Sequence, residues 1–257
     1  MKRNLIVVLF SALSLMTVRA QEYKVSKTSG KMVMNLGNVL IEGYNGNEII
    51  FSSQHPASAK AIDPKEVGLR AINGSGYRDN TGLGISVVEK GNTVEVNQVM
   101  PNLAIKILVP KGLILSLVNH KIADAGKVIC RNVENEIEID VDDNQVLLEN
   151  VTGPLLVRTL YSSVDATFNK LVRGPVSIAS IHSTVDVTIP VDTKADIKLK
   201  SSHSYIMTAA DFQIEVEKSK ADSVNRFGNL VTGKLNGGGP DFKLASEYGK
   251  IYLRKTK

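Results

Sequence analysis

Two aspartates, Asp165 and Asp186, stand twenty-one residues apart in segments that read almost alike, GPLLVRTLYSSVDATF from Gly153 and GPVSIASIHSTVDVTI from Gly174. If the copies stack in register, adjacent strands lie ~4.8 Å apart. Two carboxylates at about that separation suit the acid and nucleophile of a retaining glycosidase. The same column continues with Met207 and Tyr252, and no third catalytic group is evident, so solvated outward aspartates are the simpler reading. A second column holds Tyr161, His182, His203 and Tyr248. Stacked rings on a rigid edge offer a contact surface for a sugar ring or another flat partner. The simpler reading is that the rings stack because this stabilises the edge. His182 and His203 would repel each other if both were protonated, so such a site should weaken in acid.

These columns require elements that repeat. Leu155 and Val157, then Val164, Ala166 and Phe168, alternate with polar residues, and so do Val176 and Ile178, then Val185, Val187 and Ile189. A two-residue period is that of a strand with one buried face. The inward parity flips across Leu160–Ser163 and again across Ile181–Thr184, which predicts a corner between two short strands of different sheets. The frame extends to Ile197 and Leu199 followed by Ile206, Thr208 and Ala210. With an insertion it reaches Phe242 and Leu244 followed by Ile251 and Leu253. Thr159, Ser180, Ser201 and Ser246 precede the corners, where a hydroxyl can bond a bend's backbone. Ser162, Ser183, Ser204 and Gly249 follow the rings, at the position where a positive φ is expected and glycine is the easy choice.

A fixed period of this size marks a solenoid, each repeat forming one layer. The expected fold is all-β: a β-solenoid (β-helix-like) with layers of about 21 residues. Residues 1–20 read as a secretory signal, with Lys2 and Arg3, the apolar run Leu5–Val18 and a Val18-Arg19-Ala20 cleavage site. The rest, 21–257, reads as one domain with irregular insertions at Gln54–Gly84 and Asp222–Pro240 and a helical turn within Asp63–Ala71. Strands are expected at Met32–Leu36, Val39–Glu42, Ile49–Ser52, Ile85–Glu89, Thr93–Asn97, Ile105–Val109 and Ile114–Val118.

Of the formal net charge of +5, the leader's Lys2, Arg3 and Arg19 supply three, leaving +2. Without a basic run or tryptophan, nucleic-acid binding has little support, and no second apolar stretch would span a membrane. Cys130 is the single cysteine, so no internal disulfide forms and a small buried residue is the expected role. His55 and His120 fall in loops without a nucleophile motif. Glu136, Glu138, Asp140, Asp142 and Asp143 form an acidic outer face with no calcium-loop spacing. The Gly237-Gly238-Gly239 run lacks the lysine and helix of a phosphate loop. No metal or cofactor is expected.

The segments Gly37-Asn38-Val39-Leu40-Ile41-Glu42-Gly43-Tyr44-Asn45-Gly46, Ile105-Lys106-Ile107-Leu108-Val109-Pro110 and Leu244-Ala245-Ser246-Glu247-Tyr248-Gly249-Lys250-Ile251-Tyr252-Leu253 resemble a family of bacterial exported proteins with an adhesin-like β-strand-repeat domain of unknown function. The likeness covers nearly all of 21–257 and implies a β-helix-type solenoid. Ser162, Ser183 and Ser204 depart from it where the family usually has glycine. The expectation is thus a non-catalytic exported scaffold, periplasmic, outer-surface or extracellular, that binds a glycan or envelope protein through Tyr161, His182, His203 and Tyr248. The alternative is a carbohydrate-active enzyme on the same fold using Asp165 and Asp186.

Overall fold

The computed structural model describes residues 21–54, 64–168, 172–217 and 228–256; the expected leader lies outside them. The described chain is all-β, with two short 3₁₀ turns, Pro64–Glu66 and Ile122–Asp124, and no α-helix. Its strands, in chain order, are β1 (Glu22–Val25), β2 (Gly30–Asn35), β3 (Val39–Gly43), β4 (Ile49–Ser53), β5 (Ile85–Lys90), β6 (Thr93–Gln98) and β7 (Ile105–Val109). There follow β8 (Leu113–Asn119), β9 (Lys127–Arg131), β10 (Glu136–Val141), β11 (Gln145–Glu149), β12 (Leu155–Thr159), β13 (Val164–Thr167) and β14 (Val176–Ile181). The last are β15 (Val185–Ile189), β16 (Ala195–Ser202), β17 (Ile206–Thr208), β18 (Ile214–Val216), β19 (Gly228–Leu235), β20 (Asp241–Glu247) and β21 (Ile251–Lys255).

Alternation decides which side of each strand faces inward. Val185, Val187 and Ile189 are fully buried while Asp186 and Thr188 between them are half-buried. Ala195, Ile197 and Leu199 are likewise buried, with Asp196, Lys198 and Lys200 exposed. Strands are grouped into two mixed sheets that form no closed barrel. One runs β1-β4-β7-β3-β9-β11-β13-β15-β21-β17, the other β18-β19-β16-β20-β14-β12-β10-β8-β2-β6-β5. Their inner faces share one apolar core, in which Phe168 and Phe242 meet edge to face at 6.1 Å. Each fully buried Val, Leu or Ile contributes about 1.5–3 kcal/mol.

From β6 to β18 the chain alternates between sheets, making one strand in each before returning, so over this stretch the sheets grow together layer by layer. Val164 pairs with Val185 and Leu155 with Val176 in parallel register, as the repeat predicts. The period is not constant. Ile137 pairs with Leu155, eighteen residues on, and Leu115 with Ile137, twenty-two residues on. Strands fix the in-sheet register, and the connecting turns absorb the difference in length.

Layer order departs from chain order at both ends. Ile197 does not stack on Val176; Phe242 lies between them, pairing with each. The last layer, β20/β21, is inserted between β14/β15 and β16/β17. Its Phe242, Leu244, Ile251 and Leu253 are buried, whereas in β17 only Ile206 is even partly covered and Thr208, like Ala210 just beyond, is exposed. Interior placement therefore goes to the more apolar layer, which removes more apolar surface from water. At the other end β2/β3 sits between β6/β7 and β8/β9 in the same way. Antiparallel strands close the stack: β5, β4 and β1 at one end, β19 and β18 at the other.

The expected irregular segment Asp222–Pro240 is corrected in part, since Gly228–Leu235 forms strand β19 against β16. Sequence offered little warning, because β19 buries only Gly233 and Leu235 and shows no full alternation. Between Pro64 and Gly84 the only pairing is an isolated bridge, Ile72 to Arg78. Asp79 ties this segment down by accepting from the backbone N–H groups of Thr81, Gly82 and Gly84.

Two tests follow from this order. Oxidation should cross-link an Ala179→Cys/Ala245→Cys protein, whose register partners lie ~4.8 Å apart, but not Ala179→Cys/Lys200→Cys, two strands apart; the reverse, read by non-reducing electrophoresis, refutes the inserted layer. Val185→Asp should lower stability by about 4 kcal/mol or more, since an unpaired charge enters the core. Thr184→Asp should change it by under about 0.5 kcal/mol in the same denaturant titration.

Candidate functional site

The corners joining the two sheets after β12, β14, β20 and β16 carry the ring column. Register puts Thr159 beside Ser180, Ser180 beside Ser246 and Ser246 beside Ser201. All four are buried. Each donates its hydroxyl to a corner carbonyl: Thr159 to Ser162 (2.6 Å), Ser180 to Ser162 (3.2 Å), Ser246 to Ser183 (2.7 Å) and Ser201 to Gly249 (3.3 Å). The structural role expected of this column is what the geometry shows.

Beyond these hydroxyls the rings form one ladder in the order Tyr161, His182, Tyr248, His203. Centroid separations are 5.6, 4.9 and 4.6 Å and interplanar angles 13°, 8° and 12°. All four predicted residues are thus brought together, in an order set by the inserted layer. Tyr248 separates the imidazoles, so the expected direct contact of His182 with His203 does not occur. Tyr161 and Tyr248 remain 58% and 53% exposed. Parallel stacking turns most ring faces towards one another and leaves the edges outward.

The positive φ falls one residue earlier than expected. His182 (62°), Tyr248 (63°) and His203 (63°) adopt the left-handed conformation themselves. Bulky side chains reach this region rarely, at a cost of about 1–2 kcal/mol. Ring pairs return about 0.5–1.5 kcal/mol each. Serine is accommodated at 162, 183 and 204 because the strained torsion lies elsewhere. Gly249 is needed for closeness rather than torsion: a Cβ there would lie 1.8 Å from the Ser183 carbonyl oxygen.

Asp165 and Asp186 are register partners, as expected. Like charges directly opposed destabilise a sheet, and here the offset comes from the next layer. Arg254 grips Asp186 through two bonds, 2.7 and 2.9 Å, and lies over the Tyr252 ring. Donating to the Asp186 carboxylate raises the guanidinium's pKa further. Arg254 was legible as an outward residue two places past Tyr252, but its bond to Asp186 depends on β21 lying beside β15, which spacing alone does not fix.

Elsewhere outward charges also join in ladders. Lys106, Glu42, Arg131 and Glu149 follow one another across four strands, at 2.6, 3.3 and 2.6 Å. The Lys106 bond, together with Arg131, holds the Glu42 carboxyl below its usual range, and Lys31 does the same for Glu138. The acidic face of β10 is thereby tied to β2. His120 meets Asp142 at 3.0 Å, and His55 lies outside the described residues. Cys130 is fully buried and its thiol is pushed up to about 12 by desolvation. A second ladder escaped sequence reasoning: Asn150 donates to Asn132 at 2.6 Å, both at φ near +55°. Its signal was an asparagine following Arg131 and Glu149 at the eighteen-residue spacing. Among the described residues no cluster of His, Cys, Asp and Glu could hold a metal ion.

Gly249→Ala should cost about 1–3 kcal/mol by overpacking the corner, measured by urea denaturation. Glu42 and Glu138 have folded pKa values below their unfolded ones, so their contribution is present above about pH 4.5 and is lost as pH falls through the folded values. Glu42→Gln should therefore narrow the stability difference between pH 6 and pH 3 (a range of about 3 units) in the same assay.

No family model matches the chain, and no curated protein matches it significantly. Two crystal structures are similar over most of the chain. One, described as a "putative cell adhesion protein" from Clostridium sporogenes, is 11% identical with a TM-score of 0.42, covering 93% of this chain and all of that one. The other, described as a "putative adhesin" from Bacteroides fragilis, is 10% identical with a TM-score of 0.30, covering 93% of this chain and 98% of that one.

Proposed function

We propose that this chain is an exported, non-catalytic binding module: a two-sheet β-solenoid whose ring ladder forms the contact edge for a glycan or protein partner of the cell envelope. The observation that carries this reading is the ladder. Three of its four rings occupy backbone conformations that a glycine or asparagine would adopt with less strain, as Asn132 and Asn150 do at another corner. The rings nonetheless stand on an exposed edge. Their outward edges present phenolic O–H and imidazole nitrogen, which bond the hydroxyls of a sugar or the backbone of a peptide. The basic, apolar leader supports export. No described helix is long and apolar enough to cross a membrane. For catalysis at Asp165 and Asp186, the bidentate hold of Arg254 on Asp186 favours an ion pair over an acid–base pair.

Tyr161 is the informative residue to change. It ends the ladder, its single ring contact among the described residues is His182, and its φ is not left-handed. On a glycan array, Tyr161→Ala should lose the retention shown by the parent protein. Its unfolding free energy should fall by only about 0.5–1.5 kcal/mol, the value of one ring pair. Undiminished retention would leave the ladder a purely stabilising device, and release of shortened saccharides would establish the enzymatic alternative.

A further inference from the structure

The outer face of the larger sheet changes character towards β16. Lys198 and Lys200 project from that strand, and Lys243 from β20 stands directly opposite Lys198. All three are exposed. Lys198 and Lys200 lie ~6.8 Å apart along their strand, and Lys243 lies ~4.8 Å from Lys198 across the sheet. A like-charged pair directly opposed is unfavourable. Lysines often guard edge strands against unwanted pairing, but β16 is flanked by β19 and β20 and has no free edge. That role does not account for them.

Most other cations borne by the strands are compensated, Lys127 being an exception. Lys31, Lys106, Arg131 and Arg254 each meet a carboxylate. Lys243 meets Asp241, and Asp196 stands opposite Lys234. Among the described residues Lys198 and Lys200 form no ion pair. Beside them the outward rows of β14 and β20 carry the small side chains Ser177, Ala179 and Ala245. On the far side of β14 Arg158 faces Asp140. These rows lead along their strands to the corner where the ring ladder stands, past Ile181 and Glu247.

We infer that this lysine face is a binding surface for an extended anionic polysaccharide lying along β14 and β20. The charge pattern calls for a partner whose negative groups recur along its length. Ser177, Ala179 and Ala245 offer no aromatic or large apolar anchor of the kind that concentrates binding energy in protein–protein contacts, and the exposed apolar side chains beside them, Leu156 opposite Ser177 and Leu230 opposite Lys200, stand singly on opposite margins. This surface is distinct from the ring ladder, and its occupancy does not depend on ring contacts, although one chain could span both.

The test uses the purified protein with polygalacturonate, neutral dextran and vesicles of phosphatidylglycerol and phosphatidylcholine as probes. Binding to polygalacturonate is expected, weakening steeply as salt rises from about 50 to about 300 mM. Lys198→Glu/Lys200→Glu should reduce the affinity about tenfold or more with an unchanged thermal midpoint. Lys121→Glu/Lys127→Glu, which makes the same charge change elsewhere on the exposed surface, should leave it unaltered. Equal loss in both double variants would show attraction by net charge alone and overturn the assignment. Equal binding of dextran, binding confined to the vesicles, or indifference to the Lys198/Lys200 change would do so as well. Loss on Tyr161→Ala alone would overturn this surface while leaving the ladder's proposed role intact.

Discussion

Parallel backbone pairing at fixed register is the constraint from which the other features follow. Once Val164 is bonded beside Val185, every outward and inward residue of those strands acquires a neighbour of its own kind. Hydroxyls meet hydroxyls, rings meet rings and aspartates meet aspartates. Where such likeness is favourable, as with apolar side chains and stacked rings, it accumulates along the stack. Where it is unfavourable, a side chain from another layer intervenes, as Arg254 does at Asp186.

The ring corner shows this balance most clearly. Left-handed torsions at His182, Tyr248 and His203 oppose the intrinsic preference of bulky residues. Stacking and the buried hydroxyl bonds beneath offset that strain, each of order one kcal/mol. Gly249 lets one corner lie against the Ser183 carbonyl of its neighbour. Substituting within the corner thus disturbs several layers at once, because each layer supplies part of the next layer's support.

The ends of the stack obey a different requirement. A layer at an end exposes one row of backbone groups and one side of its apolar column. Antiparallel strands cover most of that edge, and the strongly apolar β20/β21 layer is drawn inward while the weakly apolar β17 is left outside. This exchange carries Tyr248 between two histidines that would otherwise be neighbours, and it sets Lys243 beside Lys198.

Strands, parity and corners were legible in the chain because alternation of Val, Ile and Leu with polar residues is a local property. β7 was bounded correctly from its residues alone, and the membership of the ring and aspartate columns followed from spacing. The order of the layers was not legible. It depends on which of two equally periodic segments gains more by being covered on both sides, a comparison between residues far apart in the chain. The left-handed torsions at the rings, strand β19 and the Arg254 clamp came from the same source. The amino-acid sequence by itself determined what each strand buries and which residues turn each corner; the tertiary structure decided which strands lie side by side, because only there do the exposed edges compete for cover.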